Sequence, residues 1–174
     1  SKYTPSSNKR TFNIHIGPLE GFSTISVPQK PTALIIGLGY EEHRTMGLAE
    51  YFDGETFLFY TDGTTEPAYS KEVEDNNREI ISSIGVENIY KYPIANMSYT
   101  YKILYSLCKD LQLNYRIILA PCGPKPFTLI TLLVALSLDS IDVWRISSGK
   151  EAIASNKVPN GEVLYYQVEF ASDL

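Results

Sequence analysis

Short apolar runs alternate with amphipathic segments along most of this chain. A continuous apolar run of about four to eight residues is typical of a strand buried on both faces of a sheet. Runs with strand character follow one another from position 33 onward: Ala33–Leu38, Thr56–Thr61, Asn88–Tyr92, Tyr115–Ala120 and Ile141–Ile146.

The segments between these strands carry apolar residues at helical spacing. Their pattern predicts helices over Glu41–Phe52, Tyr69–Ile84, Met97–Leu111 and from about Phe127 to Leu138. The third is the clearest, because its apolar residues step by three and four along one face. Strands that alternate with helices in this way form right-handed βαβ units, so the pattern predicts an α/β fold with a doubly wound, mostly parallel sheet.

Both ends of the chain show a different pattern, in which apolar and polar residues alternate. Thr11–Ile16 and Phe22–Val27 alternate apolar with polar residues, which favours a small N-terminal hairpin of half-exposed strands. Glu162–Phe170 alternates in the same way and predicts a last, antiparallel strand at an edge of the sheet. We therefore divide the chain into a lead-in with a hairpin, residues 1–30, and an α/β domain, residues 31–174.

Two glycine-containing loops follow the first and fourth strands of the α/β domain. One is Gly37–Arg44, and the other is the proline-rich turn Pro121–Pro126. In the commonest doubly wound order the first and fourth strands are neighbours, and the chain reverses its direction of winding between them. The two loops then meet at the carboxyl edge of the sheet, where open α/β folds bind ligands, and Lys125 lies at the positive end of a helix.

This predicted crevice suits an anionic, nucleotide-like ligand. Lys125 and the helix N-terminus would neutralise a phosphate. Backbone at Gly37, Leu38, Gly39 and Gly123 would approach the ligand closely, and side chains that could add donors, acceptors or specificity are Tyr40, His43, Arg44, Asp62 and Cys122. The sequence alone leaves open a sensor or regulatory domain, an enzyme such as a nucleotide hydrolase or a Cys122/His43-dependent transferase, and a protein-interaction module.

Common nucleotide motifs do not fit these loops. Gly37-Leu38-Gly39 follows a strand as in a dinucleotide fingerprint, but the third glycine position holds Glu42. The turn around Lys125 lacks the spacing and the following Ser or Thr of a Walker A loop. We therefore expect no resident cofactor.

Charge and composition narrow the class of partner. The net charge is −5 and the isoelectric point is about 5.1, which argues against a general duplex nucleic-acid binder. The two cysteines, Cys108 and Cys122, form neither a disulfide framework nor a zinc-binding spacing, so we expect a reduced, cytoplasmic protein and no metal. No apolar run reaches the roughly 18 residues of a membrane span, so we expect no membrane partner.

The two loops together resemble those of the CARF and SAVED sensor domains of bacterial antiviral defence. The resemblance rests on a Rossmann-like domain with Gly37–Tyr40 after the first strand and Gly123–Pro126 opening a buried helix after the fourth. It implies a sensor that binds cyclic oligonucleotide messengers, usually at the interface of a homodimer. Pro124 stands where that family often has a hydroxyl side chain, so one phosphate contact of the family is missing here.

Overall fold

The computed structural model describes residues 15–23, 30–40, 42–147 and 165–170. Within these residues the strands are β1 (His15–Pro18), β2 (Thr32–Gly37), β3 (Glu55–Thr61), β4 (Ile89–Tyr92), β5 (Arg116–Pro121) and β6 (Ile141–Ser147). The α-helices are α1 (Glu42–Phe52), α2 (Pro67–Asn76), α3 (Arg78–Ser83), α4 (Met97–Leu111) and α5 (Lys125–Ser137).

The described strands form one sheet in the order β1-β6-β5-β2-β3-β4. Neighbouring strands are parallel, except that β1 is antiparallel to β6. From β2 the chain winds outward through β3 and β4, returns along α4, and then winds outward in the opposite direction through β5 and β6. This order confirms the predicted doubly wound, Rossmann-like α/β sheet, and it confirms that the first and fourth predicted strands, β2 and β5, are neighbours.

The central strands consist largely of apolar residues because both faces of the sheet are covered. On one face, Ile35 of β2 belongs to a core with Leu104 of α4 and Phe127 of α5, which we call the α4–α5 core. On the other face, Leu34 of β2 belongs to a core with Leu48 of α1, which we call the α1 core. Successive residues of one strand therefore enter different cores, as the pleat of a strand requires.

The antiparallel edge strand is at the N-terminal end of the described chain, not at its C-terminal end. β1 pairs with β6, and Ile16 lies opposite Ile146. The predicted strand Glu162–Phe170 is wrong for residues 165–170, which are exposed and outside any strand, while residues 162–164 lie outside the described part. The alternating pattern does suit a sheet edge, but the edge beside β6 is already occupied by β1.

Of the predicted N-terminal hairpin, the structure describes residues 15–16 of the first arm and the turn that follows, while residues 11–14 of that arm lie outside the described residues. After β1, the backbone N–H of Leu19 donates to the carbonyl of Val143 over 2.7 Å, and Val143 N–H donates to the carbonyl of Phe22 over 2.8 Å. This turn is therefore hydrogen-bonded to β6. The predicted second arm, Phe22–Val27, continues into residues 24–29, which lie outside the described residues.

The predicted helix Tyr69–Ile84 is two helices, α2 and α3, separated at Asn77. Asn77 has φ −112° and ψ 19°, away from helical values. Its side chain is buried and bonds to backbone carbonyls, which is a recognised cause of helix kinks. Helical spacing of apolar residues continues across this position, so the pattern alone could not reveal the break.

The helices of the α4–α5 core differ in composition. α4 is amphipathic, with Leu104 and Cys108 on its buried face, whereas α5 has one charged residue, Lys125, at its first position. α5 begins two residues before the predicted start at Phe127, because Pro126 suits the first turn of a helix. No helix among the described residues is long and apolar enough to cross a membrane.

Candidate ligand site at the switch point

The loops after β2 and β5 are in direct contact at the carboxyl edge of the sheet. The backbone N–H of Cys122 donates to the carbonyl of Gly37 over 2.9 Å, which extends the β2–β5 pairing into the loops. On the other side, Leu38 N–H donates to the carbonyl of Phe59 in β3 over 2.8 Å. The predicted convergence of the two loops is confirmed, and it occurs at the topological switch point between β2 and β5.

Glycines allow the two loops to pack backbone against backbone. A Cβ atom on Gly39 would overlap the carbonyl oxygen of Cys122, and one on Gly123 would lie 2.7 Å from the carbonyl oxygen of Leu38. We call this contact of Leu38–Gly39 with Cys122–Gly123 the loop seam. Gly37 is constrained differently, because a Cβ there would overlap the ring of Phe127. These packing contacts account for the three glycines, so their predicted approach to a ligand stays a prediction.

Lys125 is exposed at the first position of α5, beside the loop seam. Pro124 and Pro126 have no N–H group, and the N–H groups of Phe127 and Thr128 both donate to the carbonyl of Pro124, over 2.9 Å and 3.2 Å. Among the described residues, the backbone N–H groups of Gly123 and Lys125 find no backbone acceptor. The first turn of α5 contains no acid, so this helix end offers one ammonium and two N–H donors.

Asp62 lies at the end of β3, next to β2, and is exposed. Its Oδ1 atom accepts hydrogen bonds from the backbone N–H and the hydroxyl of Thr64, over 3.0 Å and 2.8 Å. This is a local turn in which an aspartate side chain bonds to the backbone two residues later. The turn explains why an aspartate stands here, and a ligand role for Asp62 stays a prediction.

Tyr40 and Leu38 point into the protein. The Tyr40 ring packs edge-on against Tyr69, with 4.7 Å between the ring centroids, and the Tyr40 carbonyl accepts from Asn76 Nδ2 over 2.9 Å. Leu38 is fully buried, with its side chain in the α1 core and its carbonyl oxygen against Gly123, so its predicted approach to a ligand stays a prediction. Tyr40 is only partly buried, and its contribution to ligand specificity stays a prediction.

The predicted Cys122–His43 pair and the predicted contribution of Arg44 both involve side chains of α1. His43 and Arg44 belong to α1, but their side chains lie outside the described residues. Cys122 is partly buried and packs against the α1 core. The hypothesis of a thiolate–imidazole pair therefore stays a prediction.

Sequence reasoning missed Asn77, which holds the first loop in place. Its side chain is 2% exposed, and Nδ2 donates to the carbonyls of Gly39 and Val73, both over 2.8 Å. Its Oδ1 accepts from the hydroxyl of Thr45 in α1 over 3.1 Å. The available signal was the pair Asn76-Asn77 inside a helical pattern, because asparagine side chains compete with the helix for backbone groups.

A buried ion pair lies near the amino ends of β5 and β6, away from the loop seam. Arg116, the first residue of β5, donates from Nε to Asp142 Oδ2 over 3.1 Å, and Asp142 is 1% exposed. Next along the same face, Trp144 packs against Phe52 of α1, with 4.7 Å between the ring centroids. These residues therefore tie β6 to its neighbours and do not belong to the candidate site.

Comparison with known proteins assigns no family. No protein-family model matches the chain, and no curated protein matches it. Within the described residues, no group of three or more His, Cys, Asp or Glu side chains is placed to hold a metal ion. The geometry at the switch point is therefore the basis for inferring what this chain binds.

Proposed function

We propose that this chain is a regulatory or sensor domain that binds a nucleotide-like anionic ligand on the loop seam. One observation carries the proposal. The β2 and β5 loops meet at the switch point of a doubly wound sheet, and the exposed Lys125 begins the helix that leaves that point. Ligands of open α/β sheets bind at this position.

The charges near the seam support an anion as the ligand. The ammonium of Lys125, the N–H groups of Gly123 and Lys125 and the positive end of the α5 dipole all lie at one helix terminus. The chain as a whole carries a net charge of −5, so a local cationic site would select a compact anion and would not attract duplex nucleic acid. Asp62 at the neighbouring strand end would accept hydrogen bonds from sugar hydroxyls.

The resemblance to CARF and SAVED domains suggests which anions to test first. In our proposal the ligand class includes cyclic oligonucleotides, the protein acts in the cytoplasm in antiviral defence, and two copies associate. The ligand would alter the geometry of that dimer or the activity of an attached effector. The proposals of a cyclic oligonucleotide ligand, a role in antiviral defence and a dimer depend on the loop motifs Gly37–Tyr40 and Gly123–Pro126. The proposed binding of a nucleotide-like anion does not depend on these three proposals.

A thermal-shift panel of mononucleotides and cyclic oligonucleotides tests the proposal. A ligand at a hundred times its dissociation constant stabilises a protein by about 2.7 kcal/mol, which for a chain of this size raises Tm by roughly 5–10 °C. Lys125→Ala should remove most of this shift, because it removes the ammonium at the seam. Lys102→Ala is the matched control, since Lys102 is an exposed lysine on α4, and it should respond like the wild type.

The outcomes separate the hypotheses. A full response from Lys125→Ala would contradict the site, and the absence of a shift with every compound would contradict nucleotide sensing and favour an interaction module. Conversion of a nucleotide that stops in Cys122→Ala would favour an enzyme. Mass spectrometry of small molecules released from the purified protein checks the ligand class independently.

A further inference from the structure

The Asn77 carboxamide joins three parts of the protein at one buried point. Its Nδ2 donates to Gly39 in the β2–α1 loop and to Val73 in α2, and its Oδ1 accepts from Thr45 in α1. Every polar atom of this side chain therefore has a partner, as a buried amide requires. The neighbouring Asn76 donates to the carbonyl of Tyr40, so two consecutive asparagines bond to two consecutive loop carbonyls.

The hydrogen bonds of Asn77 also constrain the second loop, Pro121–Pro126, because that loop packs against Gly39. Asn77 fixes the carbonyl of Gly39, and the Cα of Gly39 faces the carbonyl oxygen of Cys122 so closely that no Cβ would fit between them. Gly123 has a similarly close contact with the Leu38 carbonyl. A displacement of the Gly39 peptide therefore displaces the loop that leads into Lys125.

The same side chain interrupts a helix that the sequence favours. The apolar spacing of Val73, Ile80, Ile81 and Ile84 continues across Asn77, yet α2 ends just before this residue and α3 begins just after it. Asn77 Nδ2 bonds to the Val73 carbonyl, which its own backbone N–H also uses, over 3.1 Å. A conflict between local pattern and tertiary contact marks a position where the fold constrains the chain for another purpose.

We propose that Asn77 is the positioning residue of the loop seam and that it couples the seam to the α2–α3 break. With the carboxamide in place, the Gly39 peptide is held and the helix stays interrupted. Without it, the seam loosens and residues 67–83 form one continuous helix. The part of the proposal that concerns ligands rests on the proposed function, and the coupling itself does not.

Hydrogen exchange measured by mass spectrometry tests the coupling without any ligand. In Asn77→Ala, the amides of Leu38 and Cys122 should exchange about fivefold faster or more, because one lost buried hydrogen bond changes a local opening equilibrium by about that factor. Amides of residues 78–80 should exchange more slowly, because the helix becomes continuous. Opposite changes in the two segments are not produced by a general loss of stability.

Two further variants control the experiment. Cys108→Ala removes a buried side chain from the last turns of α4, toward the end of the sheet opposite the loop seam. This variant should accelerate hydrogen exchange through a general loss of stability and should not slow it at residues 78–80. Thr45→Val removes the hydroxyl that donates to Asn77 Oδ1 but keeps the carboxamide, so it should give a smaller change of the same signs and serves if Asn77→Ala fails to fold. Exchange that rises alike in both segments of Asn77→Ala and Thr45→Val would overturn the proposal.

A ligand measurement keeps the two proposals separate. The nucleotide or cyclic oligonucleotide with the largest wild-type thermal shift is added to wild type and to Asn77→Ala. We expect it to slow exchange at residues 78–80 in the wild type, and this effect should vanish in Asn77→Ala. A wild-type shift without any change at residues 78–80 would overturn the coupling of ligand to helix, whereas the lack of any shift would contradict the proposed function and leave the ligand-free result standing.

Discussion

At the scale of single residues, the loop seam depends on two glycines, which have no Cβ atom at the contact. Gly39 and Gly123 let the backbones of the two loops approach more closely than any other residue type would permit. Backbone on both sides of the contact cannot rotate away as a long side chain could. The seam is therefore more sensitive to one added methyl group than a side-chain contact of similar size would be.

Gly39→Ala should lower the free energy of unfolding by about 1–3 kcal/mol, because the new Cβ would overlap the Cys122 carbonyl. Urea denaturation measures this change. Gly17→Ala in β1 is the matched control, because a Cβ there meets no heavy atom within 4 Å and should change stability by less than about 0.5 kcal/mol. Equal effects of the two substitutions would show that the seam is not tightly packed.

The candidate site was predictable residue by residue only in part. Lys125 could be placed because two prolines and a following apolar run indicate a helix start, and the sheet order then brings the two loops together. Asn77 could not, because its partners Gly39 and Thr45 are 38 and 32 residues away in sequence. A long-range hydrogen bond of one amide leaves no periodic signal.

At the scale of whole elements, burial decided which predictions were correct. β2, β3 and β5 were predictable because strands covered on both faces read as continuous apolar runs. The C-terminal segment has the alternating pattern of an edge strand, but pattern does not determine which of two such segments, β1 or residues 165–170, pairs with β6. Competition between alternative partners is a tertiary property.

The buried face of α4 leads to a prediction about alkaline stability. Burial raises the pKa of the Cys108 thiol from 9.0 to about 12. Above pH 9 the unfolded chain therefore loses this proton while the folded chain keeps it, so the thiol's contribution to stability is present below pH 9 and falls as the pH rises toward 12. Wild type should lose about 1 kcal/mol more per pH unit than Cys108→Ala between pH 9 and 10.5, measured by urea denaturation. Parallel pH profiles for the two proteins would contradict this account of Cys108.

At the scale of the whole molecule, one sheet separates the α1 core from the α4–α5 core. Every residue of β2 that enters one core is covalently joined to residues that enter the other. Neither core has a strand of its own at the centre of the sheet. We therefore regard the sheet as the cooperative unit, and the helices on each side as dependent on it.

Unfolding should consequently be a single transition on both faces of the sheet. Trp144, the one tryptophan of the chain, packs against the α1 core and reports there by fluorescence, whereas alkylation of the buried Cys108 reports on the α4–α5 core. Both midpoints in urea should coincide with the midpoint measured by far-UV circular dichroism. Midpoints that differ by more than the error of the fits would show that the two sides unfold separately.

The backbone seam also has a kinetic consequence. Because the two loops touch, a ligand that binds as proposed lies on top of the seam and is not enclosed between the loops. The seam itself does not have to open before the ligand enters, and it does not close behind the ligand. Such a receptor would follow the concentration of its messenger in real time and would lose its signal as soon as the messenger is degraded.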